Sequence, residues 1–192
     1  ALVSDAGTPL ISDPGYRLVR AAQEAGVKVV PIPGACSIVV ALSASGLATD
    51  RFSFEGFLPS KPKARKTLLE SMAQEERTLI FLESSHRITK ALRDCVTAFG
   101  ADREVVVARE LTKSFETIKR GKVEDIAEWV EGDKDQQKGE FVLLVSGFKP
   151  AKNELTSEEK QLIETLLEEL TVSRAADLAA RISGKKRNLC YQ

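Results

Sequence analysis

The sequence predicts an α/β protein of two lobes, the first of them truncated, followed by a small helical, helix-turn-helix-like appendage. Three observations carry this reading. Apolar runs of strand length alternate with segments of helical period through the first 148 residues. Four of those runs pass straight into short segments rich in Gly, Pro, Ser and charge, the way an open α/β sheet arranges its ligand loops. Beyond residue 150 the strand signals stop, and Thr156 with Glu159 forms a capping box that introduces helices only.

Taken in order, Ala1, Leu2 and Val3 read as a strand that enters Asp5-Ala6-Gly7-Thr8-Pro9 and then Asp13-Pro14-Gly15. Gly7 allows backbone to approach a ligand, while Pro9 and Pro14 hold the loop open and delay the helix expected over 16–25. Gly26 closes that helix. The apolar run from Val27, ended by Pro33-Gly34, reads as a second strand, so the unit is βαβ with a parallel pair. Residues 36–45 form a helix of small apolar residues ended by Gly46.

Strands are expected at 51–57, 78–82, 104–109, 115–120 and 141–146, and helices at 63–73, 88–99 and 123–130. The polar loop 132–139 reads as an exposed hairpin-like connection. A linker at 150–155 leads to a helix striped by Leu162, Ile163, Leu166, Leu167 and Leu170. Thr171-Val172-Ser173 caps a second helix over 174–182, and the basic run after Gly184 starts a third, a helix-turn-helix outline. The expected domains are 1–49, 50–149 and 150–192.

Composition narrows the function classes. Lys+Arg and Asp+Glu both number 28, so no global basic field attracts nucleic acid and any such role falls to local patches. Two patches qualify. Lys61, Lys63, Arg65 and Lys66 carry four positive charges with no negative one among them, and Arg174, Arg181, Lys185, Lys186 and Arg187 oppose only Asp177. Either patch alone has the bland reading of a solvated face; two on a neutral chain favour contact with an RNA backbone, Lys185, Lys186 and Arg187 included. Three scattered cysteines and one histidine argue against a metal site and for a reduced, cytoplasmic setting. No apolar run reaches membrane-spanning length, so no membrane partner is expected. The chain lacks an initiator Met and opens on a strand, which reads as a fragment.

The segments that carry chemistry are Asp5-Ala6-Gly7-Thr8-Pro9, Pro33-Gly34-Ala35-Cys36-Ser37, Glu83-Ser84-Ser85-His86-Arg87 and Arg109-Glu110-Leu111-Thr112-Lys113. One such loop is no more than a sharp turn, whereas four at strand carboxyl ends converge on one crevice. Together they resemble the tetrapyrrole methylase family, the class III S-adenosylmethionine-dependent methyltransferases. The Ala6-Gly7-Thr8-Pro9 stretch stands where many members have a Gly-Gly-Asp-Pro loop, and Pro33 to Ser37 match a Pro-Gly-x-Ser/Thr-Ser/Ala helix start. The spellings Ser4 to Pro9, Glu83 to Arg87 and Ala108 to Lys113 are similar to one branch, which methylates the ribose 2′-hydroxyl of a cytidine in the decoding region of 16S rRNA. The family's first strand and its Pro-x-Gly-type loop have no counterpart, so activity of this chain alone is in question.

The resemblance implies S-adenosyl-L-methionine as cofactor, 16S rRNA in the small ribosomal subunit as substrate, and a homodimer. By position it implies Ala6, Gly7, Thr8, Pro9, Ile11 and Ser12 on one side of the cofactor, Cys36 and Ser37 below it, and Glu83, Leu111 and Thr112 approaching from the second lobe. A ribose hydroxyl is a weak acid, so a base or a cation beside it would help. Glu110, Lys113 and Arg87 are the catalytic candidates, with Glu116 behind them. Each has a competing reading: Arg109 with Glu110 as an interlobe ion pair, Glu116 as a solvated strand residue, His86 as a loop-orienting group. Two other functions stay open, a tetrapyrrole-type small-molecule methyltransferase and a non-catalytic RNA-binding module on the same fold.

Overall fold

A computed structural model describes residues 1–5, 7–149 and 155–191. The candidate cofactor contact Ala6 and positions 150–154 of the expected linker lie outside the described residues. Two compact units are present, 1–148 and 149–192.

The first unit is built on a sheet whose central strands are apolar on both sides of the pleat. In β2 (Thr78–Ser84), β3 (Glu104–Arg109) and β5 (Glu140–Val145) nearly every side chain is buried, the pattern of strands covered on both faces. β1 (Phe52–Phe57) and β4 (Thr117–Lys122) close the sheet in the order β1-β2-β5-β3-β4. Lys119, Arg120 and Lys122 charge the β4 edge, which discourages pairing with another chain. β1 is parallel to β2; β5 is antiparallel to β2 and β3, and β4 antiparallel to β3.

Alternation along the strands makes two apolar layers. Leu79, Phe81, Val107 and Leu143 pack with Leu69 of α3 (Pro62–Ser71), Leu92 of α4 (Ile88–Phe99) and Ile126 of α5 (Val123–Gly132). On the other face Ile80, Val106 and Leu144 pack with Ile38, Ala41 and Leu42 of α2 (Ser37–Ser45). Each large side chain fully buried here contributes roughly 1.5–3 kcal/mol relative to exposure.

Ser84 pairs with Glu140, and Arg109 pairs with both Phe141 and Thr117. The carboxyl ends of β2 and β3 therefore share one sheet edge with the start of β5. That edge positions the candidate site.

Two expected strands do not form. The described residues before α1 (Tyr16–Glu24), and those between it and α2, adopt no strand, and Val3, Val30 and Ile32 are exposed at 82, 60 and 82%. Apolar runs suggest strands there, but a lone two-stranded pair is marginal and neither run joins the five-stranded sheet. The loop after α5 also differs from the expected plain connection: it holds a one-turn 3₁₀ helix, Lys134–Gln137, started by the Asp133 carboxylate accepting from the Asp135 N–H at 2.8 Å.

The second unit is helical. α6 (Ser157–Glu169) has the expected capping box, with the Glu159 N–H donating to Thr156 Oγ1 at 3.1 Å and the Thr156 N–H to Glu159 Oε2 at 2.8 Å. α7 (Val172–Ser183) ends on Gly184 in the left-handed region, and α8 (Arg187–Cys190) follows. Ala176, Ala179 and Cys190 form its core with Ile163 and Leu166, whereas Leu167 of the expected stripe is 42% exposed.

Candidate functional site

Four non-glycine residues adopt positive φ among those described: Leu10 at 72°, Ser12 at 56°, Glu110 at 50° and Thr112 at 65°. All four sit in or directly beside the segments that sequence alone singles out. Such conformations cost on the order of 1–3 kcal/mol each and persist where surrounding structure over-determines them, which happens preferentially at functional sites.

The loop after β3 shows how it is held. The Glu110 N–H donates to the Glu140 carbonyl at 3.0 Å, and the Glu140 N–H returns to Glu110 Oε1 at 2.9 Å. Thr112 N–H donates to Glu116 Oε2 at 2.7 Å, and Lys113 N–H to the Glu110 carbonyl at 3.0 Å. Lys113 Nζ then bridges Glu110 at 2.9 Å and Glu140 at 3.0 Å. The Lys113 ammonium, with the Glu140 N–H behind it, holds the Glu110 carboxyl below the ordinary carboxylate range. Glu110 first and Glu140 second raise the ammonium in turn. Both groups are therefore charged near neutrality. Paired in this way Glu110 is a poor proton acceptor, and Lys113 is a fixed cation at the sheet edge. The carboxylate turns to Lys113, not to Arg109.

Arg87, expected among the catalytic groups, has its donors engaged. It pairs with Glu83 at 2.7 Å and donates to Ser84 Oγ at 3.2 Å and to the Leu58 carbonyl at 3.1 Å. It fixes the ends of β1 and β2 relative to each other. Glu83, expected at the cofactor, has a fully buried side chain: one carboxylate oxygen takes Arg87 and the Ser84 N–H, the other has no hydrogen-bond partner and is closed to solvent. Its place is beneath the edge, because alternation sends it to the face of Leu79 and Phe81. Arg109 occupies the same row across Phe141, giving to the Lys138 carbonyl at 3.1 Å and Thr117 Oγ1 at 3.4 Å.

The first two segments meet as well. Thr8 Oγ1 donates to the Ala35 carbonyl at 3.0 Å, and Gly7, at φ 74°, brings bare backbone to the same carbonyl. Cys36 and Leu111 both pack on the α2 layer, which ties these loops to the β3 end. Ile11, Ser12, Ser37 and Thr112 are exposed, Pro9 is half-buried, and His86 points to solvent.

The basic candidates divide. Lys61, Lys63 and Lys66 are exposed, but Arg65 is 3% exposed, pairs with Asp94 at 2.7 Å and donates to the Pro59 carbonyl at 3.3 Å. Arg65 is thus no RNA contact: its position on α3 turns it to α4. In the second unit Lys185 pairs with Glu159 at 3.8 Å, Arg187 pairs with Asp177 and donates to Ser173 at 2.9 Å, and Lys186 is exposed. Among the described residues no cluster of His, Cys, Asp and Glu could hold a metal, and no helix is long and apolar enough to cross a membrane.

Two residues here escape sequence reasoning. Glu140 heads an apolar run, and only the antiparallel placement of β5 puts it beside Lys113. Asp94 does carry a signal, as a lone carboxylate among Ala91, Leu92 and Cys95 on the buried side of a helix.

Comparison with known proteins gives the family and the fold. The family model described as Tetrapyrrole (Corrin/Porphyrin) Methylases matches residues 1–127, and one described as RsmI C-terminal HTH domain matches 153–192. The chain is 50% identical to Ribosomal RNA small subunit methyltransferase I of Haemophilus influenzae, over 100% of this chain and 69% of that protein. It is 52% identical to the protein of that name from Vibrio cholerae, again over 100% of this chain and 67% of the relative. Solved structures similar in fold include the cobalamin biosynthetic cobalt precorrin-4 methyltransferase CbiF, with a TM-score of 0.54 at 21% identity over 73% of this chain and 61% of that one. Uroporphyrin-III-C-methyltransferase from Thermus thermophilus gives a TM-score of 0.51 at 22% identity over 73% of this chain and 60% of that one.

Proposed function

The chain belongs to the tetrapyrrole methylase family, and from that premise we propose that it serves S-adenosylmethionine-dependent methylation of small-subunit ribosomal RNA, at the ribose 2′-hydroxyl of a cytidine in the decoding region of 16S rRNA. One structural observation carries the reading: the left-handed residues concentrate in the Leu10–Ser12 and Glu110–Thr112 segments, among loops that a shared apolar layer and a shared sheet edge bring together. The names of relatives at about 50% identity across the whole chain support the RNA substrate. A cytoplasmic homodimer is part of the same proposal.

The residues present suit the cofactor. Bare main chain at Gly7 and Ala35 offers polar atoms without bulk, Cys36 and Leu111 offer apolar surface, and Thr8, Ser37 and Thr112 offer hydroxyls to a ligand that combines a base, a ribose and an amino acid. When bound, S-adenosylmethionine supplies a methyl group on a good leaving group, so positioning provides much of the acceleration. Lys113 is the group we assign to the ribose oxygen: its ammonium, held by Glu110 and Glu140 and partly exposed, favours the oxygen as its proton passes to solvent water. Glu110 and Arg87 act as positioning residues, the first for Lys113 and the second for the β1 and β2 ends.

Small ribosomal subunits lacking the modification, incubated with the protein and methyl-labelled cofactor, test this. The expected product is 2′-O-methylcytidine in nucleosides from 16S rRNA. Label on a base, or on protein only, would overturn the reaction assigned.

A further inference from the structure

We infer that the face of α3 beside the sheet edge is a groove for single-stranded RNA, taking phosphates on Lys61 and Lys63 and a base on its apolar floor; this rests on the ribosomal RNA reading above. The groove is shallow and open to solvent, with a volume of about 640 Å³, and is lined from one side by Pro59, Ala64, Thr67, Leu68 and Ser71 together with Lys61 and Lys63. Among the described residues neither Lys61 nor Lys63 has an ion-pair partner, in contrast to Lys66, which lies 3.7 Å from Asp94. A surface meant only to be solvated has no need of an apolar floor between free cations. An anion with a flat apolar part satisfies both features, and a nucleotide is one.

The rim is fixed from below. Arg87, anchored on buried Glu83, holds the Leu58 carbonyl at 3.1 Å; Arg65, anchored on Asp94, holds the Pro59 carbonyl at 3.3 Å. The segment leading to Lys61 is therefore ordered before anything binds, which lowers the entropy lost on binding. This assigns the buried Arg65 a task within a basic run: it supports the lysines and touches no RNA itself. Single strands suit such a groove because their bases are free to lie on an apolar surface, whereas an A-form duplex keeps its bases stacked inside.

The test is fluorescence anisotropy with a labelled single-stranded RNA of about a dozen nucleotides, within the site sizes common for such binders, against a hairpin duplex of equal charge. Lys61→Ala with Lys63→Ala is expected to weaken single-strand binding at least tenfold at low salt. The slope of log affinity against log salt should fall by about 1.4, roughly 0.7 for each phosphate that the variant no longer neutralises. Thr67→Trp, which fills the groove and removes no charge, should weaken the single strand and spare the duplex. Binding and slope unchanged in both variants would overturn the groove and leave the ribosomal RNA reading standing. Equal loss on the duplex would also overturn it, since a general charged face behaves that way. A parent protein that binds neither RNA would sink the groove together with the reading it rests on. Calorimetric titration of S-adenosylmethionine into each variant shows whether cofactor binding is untouched.

Discussion

Residues 1–36 and the loops that end β2 and β3 are made from the same vocabulary, Gly, Pro, Ser and charge after an apolar run, yet they are held very differently. The Glu83–Arg87 and Arg109–Lys113 loops grow from strands paired on both sides; an ion pair braces each loop internally, and hydrogen bonds from Arg87 to the Leu58 carbonyl and between Glu110 and Glu140 tie them to neighbouring strands. The described residues among the first 36 have one helix, no ladder, and a tie such as Thr8 to Ala35. Composition tells where a ligand loop is. Rigidity comes from pairing partners far away in sequence, and those are what the two regions do not share.

The largest effect that sharpens this contrast is expected at the buried ion pairs. Asp94→Ala strands the buried Arg65 and should cost about 3–5 kcal/mol by denaturant unfolding, whereas Glu83→Ala leaves the partly exposed Arg87 against the Leu58 carbonyl and should cost about 1–3 kcal/mol. A cost near zero for Glu83→Ala would mean that the β2 loop is no better held than the first 36 residues.

Next comes the strained backbone. Thr112 is exposed and left-handed, so Thr112→Gly should stabilise the protein by about 1 kcal/mol while lowering methyl transfer, read by parallel unfolding and activity measurements. Gain in both would break the link between strain and site.

The effect of pH is smaller. Glu110 has a lowered pKa, so its contribution to stability is present above the ordinary value of 4.5 and is lost as pH falls through the lowered one. Lys113 is raised, so its share is present below its ordinary 10.5 and is lost as pH rises through the raised value. Between those limits the pair should be flat with pH. Glu110→Gln should remove the acid limb of the difference, measured as unfolding midpoint against pH. Smallest of all, Ile32→Ser should change stability by no more than about 0.5 kcal/mol, because Ile32 is already 82% exposed.

The sheet is legible in the sequence where its signals are local. The expected bounds of α4 and β3 match those observed, since an amphipathic helix and a Val-rich strand each declare themselves within their own length. The capping box at Thr156 is equally local. The strand expected at residues 1–3 does not form because a strand also needs a neighbour, which no window of sequence reveals. Charge alone groups Arg65 with Lys61 and Lys63, while its burial depends on Asp94, 29 residues away. The candidate site follows the same rule: the four segments can be named from sequence, but the Lys113–Glu140 bridge and the engagement of Arg87 with Leu58 depend on strand order.

The central claim is that the loops at this sheet edge hold S-adenosylmethionine, and calorimetric titration tests it most directly. The protein should bind the cofactor, and Gly7→Ala, whose φ of 74° a side chain strains, should shift this loop and weaken binding at least tenfold with the sheet intact by circular dichroism. Equal affinity in the parent and Gly7→Ala, or no binding by either, would contradict it.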